Sequence, residues 1–153
     1  MAEKKVLKKD DKKMAELNRE LRSYITQIEA LRVNISNIDA MISEYRATIT
    51  TLQNLKDLGK GKEVLLPVGR IAQVNAKLED ITKVVVNIGS SISVELTFDE
   101  AVKQIEKETA ALLLLRQALE KAMVDLYAKV EELTQRIREH GQAEAKGENS
   151  SKK

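Results

Sequence analysis

The stretch KVVVNIGSSISVELTFDE, residues 83–100, decides the fold of this chain. Apolar residues recur at every second position on both sides of Gly89-Ser90, a pattern typical of two half-buried strands. A glycine at the first position of a two-residue turn favours a tight hairpin. Thr97 and Glu100 then have the spacing of a capping box at a helix start. The sequence therefore predicts strand, turn, strand and helix, with assembly residues at Val84, Val86, Ile88, Ile92, Val94 and Leu96.

The preceding segment, EVLLPVGRIAQVNAKLE (residues 63–79), predicts another hairpin. Apolar and polar residues alternate from Ala72 to Glu79, and EVLLPV supplies the strand before them. Pro67 lacks a backbone N–H, so its strand should lie at a sheet edge or contain a bulge. Small isolated hairpins are only marginally stable in water, because their apolar faces and open edges need partners. We therefore predict an assembly surface, which here comprises Val64, Leu66, Val68, Ala72 and Val74.

The residues before the hairpins predict one long helix over 14–58. Its apolar residues are spaced alternately three and four positions apart, which is the heptad pattern of a coiled coil. Neither proline nor glycine interrupts this range, and Gly59 provides a C-terminal stop. The predicted seam of this helix consists of Met14, Leu17, Leu21, Tyr24, Ile28, Leu31, Ile35, Ile38, Ile42, Tyr45, Ile49 and Leu52.

A matching heptad pattern predicts a second helix over residues 98–140. Its seam is apolar except at Thr109 and Arg116, and the arginine can lay its methylenes along the seam. The two seams fit as an antiparallel pair in which Leu17 faces Ile137, although registers shifted by one heptad also fit. The second seam consists of Phe98, Val102, Ile105, Thr109, Leu112, Arg116, Leu119, Met123, Leu126, Val130, Leu133 and Ile137.

The predicted fold class is mainly α-helical with a small β insert: an antiparallel two-helix coiled coil with two central β-hairpins. Gly141 is expected to end the second helix. Leu112–Leu115 places apolar side chains around most of that helix, which predicts packing against the hairpins or a contact with another subunit. The predicted segments are a flexible basic arm (1–13), the first coiled-coil helix (14–58), the two hairpins as the assembly body (59–97), the second coiled-coil helix (98–140) and a disordered tail (141–153).

Composition narrows the functional class. The 153 residues carry a net charge of +2, so charge alone requires neither a nucleic-acid nor a membrane partner, and we expect neither. Cysteine is absent, the N-terminus lacks the apolar core of a signal peptide, and apolar runs are short, which together favour a cytoplasmic protein. His140 is the only histidine and has no metal ligands at suitable spacing. We therefore expect neither enzymatic chemistry nor a cofactor or metal site.

The order of long helix, two hairpins and long helix resembles the alpha-class subunits of prefoldin. The resemblance rests on VLLPVGRIAQVNAKL (64–78), KVVVNIGSSISVEL (83–96) and FDEAVKQIEKE (98–108), and it covers residues 14–140. Within that class, IAQV, ISVEL and LYAKVEEL are similar to the archaeal second-alpha and gamma-type branch. Ser90-Ser91-Ile92 differs from ordinary alpha subunits, which usually have an aromatic residue there.

The resemblance implies an ATP-independent chaperone, a holdase, that captures unfolded proteins and passes them to a group II chaperonin. Prefoldin hexamers join two alpha-class with four beta-class subunits through their hairpins, whereas gamma-type relatives form filaments, and both assemblies remain open. A structural filament without clients is a further alternative. Clients would bind at the coiled-coil tips, where fraying helix ends can turn seam residues outward. In the register given above, the tip residues are Met14, Leu17, Leu21, Tyr24, Val130, Leu133 and Ile137.

Overall fold

The structure is a computed structural model that describes residues 2–79, 82–89 and 91–150, with side chains over 11–79, 82–89 and 91–143. Two long helices flank two small antiparallel hairpins along the chain, which confirms the predicted fold class. The elements in order are α1 (Ala2–Leu58), β1 (Glu63–Val68), β2 (Ala72–Lys77), β3 (Lys83–Asn87), β4 (Ser93–Thr97) and α2 (Phe98–Ser150).

The chain divides into two compact units, each with a segment of both helices. The first, which we call the helical unit, comprises Met1–Asn37 and Leu115–Lys153. The second, which we call the hairpin unit, comprises Ile38–Leu114 and contains all four strands.

α1 has 57 residues and ends where the sequence predicts. Gly59 has a φ of +86°, and its N–H donates to the Leu55 carbonyl oxygen at 3.3 Å. This left-handed conformation is readily available only to glycine, which explains the helix stop. At its other end α1 begins at Ala2, so the described residues of the predicted arm belong to this helix. The flexibility of residues 1–13 stays a prediction, and Met1 lies outside the described residues.

α2 has 53 residues and begins with the predicted capping box. The Glu100 N–H donates to Thr97 Oγ1 at 3.3 Å, and the Thr97 N–H donates to Glu100 Oε2 at 2.9 Å. α2 does not end at Gly141 as predicted but continues to Ser150. One glycine inside a helix costs only about 1 kcal/mol relative to alanine, and the following QAEAK consists mostly of good helix formers. The disorder of 141–153 stays a prediction, and 151–153 lie outside the described residues.

The two hairpins are separate two-stranded sheets, one of β1 with β2 and one of β3 with β4. When the β3–β4 register is continued by one pair beyond Asn87 and Ser93, Ile88 stands opposite Ile92, so the turn is longer than the predicted two residues. The Ile88 N–H donates to the Ile92 carbonyl oxygen at 3.0 Å, and the Ile92 N–H donates to that of Gly89 at 2.9 Å. Ser91 has a φ of +60°, and Ser90 of the predicted turn lies outside the described residues.

The core of each unit is the seam between its two helix segments. Apart from Ala101, every buried residue among those described is a predicted seam residue. The polar seam residue Thr109 satisfies its hydroxyl by donating to the Ile105 carbonyl oxygen at 2.8 Å. The half-buried Arg116 pairs with Glu120 at 2.8 Å. The buried seam residues are Leu17, Ile28, Leu126 and Leu133 in the helical unit, and Ile38, Ile42, Phe98, Ile105 and Thr109 in the hairpin unit.

Contacts between the helices select the predicted register within each unit. In the helical unit the Lys129 ammonium lies 5.5 Å from the centroid of the Tyr24 ring, and Lys129 adjoins Val130, the predicted partner of Tyr24. In the hairpin unit Lys56 Nζ lies 2.7 Å from Asp99 Oδ1. In the predicted register Lys56 stands level with Phe98, so this contact is one residue away from the predicted position. A shift by one heptad would separate each pair by about two helical turns. The register that the sequence left open is therefore settled in both units.

Candidate functional site

The first hairpin has an exposed apolar face. The register sets Leu66 directly opposite Val74. Every second pair of the ladder lies on the same side of the sheet, so the pairs two positions before and after Leu66 and Val74 share that side. The exposed fractions are 52% for Leu66, 54% for Val68 and 47% for Val74. This face, which we call the first hairpin face, is half-buried at Val64 and Ala76 and exposed at its other residues. It consists of Val64, Leu66, Val68, Ala72, Val74 and Ala76.

Two further apolar residues of the first hairpin were not predicted as site residues. Leu65 lies on the opposite side of the sheet and is 63% exposed, and Ile71, in the connection between the strands, is fully exposed. The signal in the sequence is weak, because Leu65 is out of phase with the alternation and Ile71 precedes the strand. The first hairpin therefore exposes apolar groups on both sides and at its turn.

The second hairpin is partly covered by the helices of its own unit. The predicted assembly residues Val84, Val86, Val94 and Leu96 are half-buried. β3 lines a cavity of about 240 Å³ whose other walls include Tyr45, Thr48 and Ile105. The predicted residues Ile88 and Ile92 remain exposed beside the turn. The second hairpin thus has less free apolar surface than the first.

The junction between β4 and α2 is held by charged groups. Asp99 pairs with Lys56 at 2.7 Å, and this hydrogen bond and charge hold the pKa of Asp99 below its ordinary value. The pKa of Glu100 is lowered too, mainly because its carboxylate accepts the Thr97 N–H and hydroxyl. Lys83 and Glu95 pair across β3 and β4 at 3.3 Å. These contacts join the end of α1, the second hairpin and the start of α2 within one unit.

The predicted tip residues all lie in the helical unit, and the seam there is closed. Leu17 is 6% exposed and Leu133 is 4% exposed. The other five, Met14, Leu21, Tyr24, Val130 and Ile137, are half-buried. In this structure the seven side chains therefore form a packed seam.

Tyr24 has polar partners around its otherwise apolar seam position. Its hydroxyl donates to Glu20 Oε1 at 3.0 Å, while the Lys129 ammonium approaches the ring. The hydrogen bond to Glu20, followed by burial, raises the pKa of Tyr24 above its ordinary value. Tyr24 therefore stays neutral at physiological pH and contributes both apolar surface and a hydrogen-bond donor.

Other apolar residues of the helical unit are more exposed than the tip residues. Val33 is 58% exposed and Val124 is 63% exposed, with Ile25 and Tyr127 somewhat less so. The Tyr127 hydroxyl accepts a hydrogen bond from Arg32 Nη2 at 2.9 Å, which links the two helices outside the seam. Heptad analysis missed these residues because it scores the seam and treats all other positions as solvated.

Leu112–Leu115 does not pack as one predicted alternative supposes. Leu112 is half-buried in the seam, whereas Leu113, Leu114 and Leu115 are 42%, 69% and 49% exposed. Burial against the hairpins is therefore wrong for these three side chains. A contact between them and another subunit stays a prediction.

The described residues offer neither a metal-ion cluster nor a membrane-spanning helix. Among the described side chains, no group of three or more His, Asp or Glu residues is placed to hold a metal ion. No helix in the part of the chain that the structure describes is long and apolar enough to cross a membrane.

The fold defines the class of coiled-coil proteins with a β-hairpin insert. The family model for prefoldin subunits matches residues 24–143, so the chain belongs to the prefoldin family. A protein of Aquifex aeolicus (strain VF5) named as a prefoldin alpha subunit is 53% identical over 95% of this chain and 99% of its own length. Prefoldin subunit alpha 2 of Methanocaldococcus jannaschii is 51% identical over 77% of this chain and 80% of its own length. The predicted resemblance to the alpha class is confirmed, and it implies a chaperone-type, non-enzymatic subunit.

Solved structures agree with this assignment. The chain is similar to the filamentous prefoldin of M. jannaschii, seen by cryo-electron microscopy, with a TM-score of 0.71 and 50% identity over 78% of this chain and 98% of that one. It is also similar to the prefoldin beta subunit from Thermococcus strain KS-1, with a TM-score of 0.53 over 83% of this chain and 90% of that one. The second likeness, at 20% identity, concerns the fold alone.

Proposed function

We propose that this chain is a subunit of an ATP-independent holdase that assembles through its hairpins and captures unfolded proteins at the helix ends of its helical unit. The complex would be a prefoldin hexamer of two alpha-class and four beta-class subunits that acts in the cytoplasm and passes clients to a group II chaperonin. The observation that carries the proposal is the exposed first hairpin face, because a single chain leaves this face in water.

Assembly through the hairpins has a clear driving force. Fully burying a valine or leucine side chain contributes about 1.5–3 kcal/mol relative to full exposure, and Leu66, Val68 and Val74 are each about half exposed. Covering them in a partner therefore yields about 3 kcal/mol per chain. A contact between exposed strand edges would add backbone hydrogen bonds to that apolar contribution.

Client capture requires the closed seam to open at its ends. Separating the helices at Leu17 and Leu133 exposes two buried side chains, which costs about 3–6 kcal/mol unless a client covers them. Met14 and Ile137, the outermost tip residue of each helix, are already half-buried, so exposing them costs less. Weak capture at each subunit is then strengthened when several subunits hold one unfolded chain, through effective concentration.

A filament of this chain alone is the second candidate. It is favoured by the 50% identity to a relative whose solved structure is filamentous. Both assemblies use the hairpins, so they differ in partner rather than in the surface involved. Mass photometry of the purified chain, alone and mixed with a prefoldin beta subunit, separates fibres from a discrete hexamer.

The client site is tested by serine substitutions in the seam with a matched control outside it. Leu17→Ser with Ile137→Ser should weaken suppression of a client's aggregation at least several-fold while oligomer mass stays unchanged. The control is Ile25→Ser with Val33→Ser, which removes apolar groups of similar size from exposed positions of the same unit. Circular dichroism checks that both variants keep their helicity. If only the control variant loses suppression, clients bind the exposed helix faces and the tip residues are excluded.

A further inference from the structure

We propose that the first hairpin pairs with the same hairpin of a second copy of this chain, β2 against β2 and antiparallel, about a two-fold axis at Asn75. The inference rests on the proposed function in one respect, namely that the hairpins mediate assembly. Beyond the proposed function, the inference identifies the strand edge that forms the contact between copies and the register in which the two strands pair.

Backbone hydrogen bonds show which groups of the first hairpin point away from it. The Leu78 N–H donates to the carbonyl oxygen of Lys62 at 2.9 Å, and these residues stand opposite each other when the β1–β2 register is continued by one pair. Bonded and non-bonded pairs alternate along an antiparallel ladder. The N–H and C=O groups directed outward are therefore those of Glu63, Leu65 and Pro67 on β1, and of Gln73, Asn75 and Lys77 on β2.

The two edges of the first hairpin differ in their capacity to bond. Pro67 occupies an outward position on β1 and has no N–H to donate, so that edge is interrupted. The outward residues of β2 all retain a backbone N–H and a C=O, and all are exposed. β2 is therefore the better edge for an added strand.

The edges of the second hairpin are less available. The Ile88–Ile92 hydrogen bond, by the same alternation, makes Thr97 an outward residue of β4, but its N–H already donates to Glu100 Oε2 at 2.9 Å. The outward residues of β3 are exposed, but this strand lines the cavity whose other walls include Tyr45 and Thr48 of α1. β2 thus combines a complete set of outward N–H and C=O groups with exposed outward residues, and the proposal rests on this edge.

The β2 edge is also complementary to itself. Pairing about Asn75 sets Gln73 of each copy opposite Lys77 of the other, so no like charges face each other, and about six inter-chain hydrogen bonds form. The same pairing about Glu95 of β4 would oppose two carboxylates directly, which is destabilising. Residues directly opposite share a side of the sheet, so the first hairpin faces of both copies join into one four-stranded apolar face. The match of this edge to itself, without opposed like charges, favours a second copy as the occupant.

Single cysteines test the contact, because the chain has no cysteine of its own. In the proposed pair the two Asn75 Cα atoms lie about 5.5 Å apart, a separation that a disulfide spans. Under mild oxidation N75C should form a disulfide-linked dimer on a non-reducing gel. The controls L65C and E95C sit at the centres of the β1 and β4 edges and should not cross-link appreciably. Cross-linking of either control with none at Asn75 would overturn the proposal.

Proline substitutions give a second and independent test. Asn75 and Leu65 are cross-strand partners whose N–H groups both point outward, so proline at either position leaves the β1–β2 ladder intact. N75P should weaken self-association at least about tenfold in analytical ultracentrifugation, and L65P should weaken it much less. If N75P matches the unsubstituted chain while L66S/V74S abolishes self-association, the proposed function stands and the β2 contact is refuted. If neither variant affects self-association, assembly through the first hairpin itself is refuted.

Discussion

Replacing Leu66 and Val74 with serine tests whether the first hairpin face drives assembly. The two residues are cross-strand partners at the centre of that face. They are 52% and 47% exposed, so assembly can still bury about half of each side chain, worth about 1 kcal/mol apiece. A contact that covers this face in two copies buries four such side chains, which together contribute about 4 kcal/mol. Because 1.4 kcal/mol corresponds to a factor of ten, the double variant should weaken association about a thousandfold.

Sedimentation velocity over a concentration series measures this loss, and far-ultraviolet circular dichroism verifies that the helices persist. The matched control is Leu65→Ser with Ile71→Ser, which removes exposed apolar groups of the same hairpin from outside that face. We expect the control to weaken association far less. Unchanged association of Leu66→Ser/Val74→Ser, with helicity intact, would show that this face is not an interface.

Three further predictions concern stability, each measured by thermal or urea unfolding followed by circular dichroism. Leu133→Ala should lower the free energy of unfolding by at least about 2 kcal/mol because the side chain is buried in the seam. Val124→Ala, at a position that is 63% exposed, should lower it only slightly. Gly59→Ala should destabilise by about 1 kcal/mol because φ is +86°, whereas Gly141→Ala, within α2, should stabilise by about 0.5–1 kcal/mol. The pKa of Glu100 is lowered in the folded chain, so its capping contribution to stability is present above the ordinary glutamate pKa and is lost as pH falls through the folded pKa. Glu100→Gln should therefore flatten the loss of stability at acid pH. An unchanged dependence of stability on pH would argue against a capping role for the Glu100 carboxylate.

Local signals in the sequence predicted structure best where few alternatives compete. Thr97 and Glu100 are three residues apart and satisfy each other, so the capping box needs no distant contact. Gly59 and Gly141 look alike in sequence but differ in outcome. Gly59 is soon followed by a second positive-φ glycine and a strand, whereas good helix formers follow Gly141. A stop signal therefore depends on what comes after it.

The candidate site was harder to predict because periodicity gives the side of an element and not what covers that side. Val86 and Val74 have the same alternating pattern, yet Val86 is half-buried beside the helices and Val74 is exposed. The heptad repeat also does not distinguish a helix end from its middle. The predicted tip residue Leu17 is in fact as deeply buried as Ile42 in the hairpin unit. Burial depends on contacts that are distant in sequence.

The direct connection of β4 to α2, without intervening residues, has a mechanical consequence. The strand ends at Thr97 and the helix starts at Phe98, so no slack separates them, and Asp99 is fastened to Lys56 one residue later. The first hairpin, in contrast, is separated from the end of α1 by residues 59–62. A twist imposed on β4 by a docking subunit would thus be transmitted directly into the opening turn of α2.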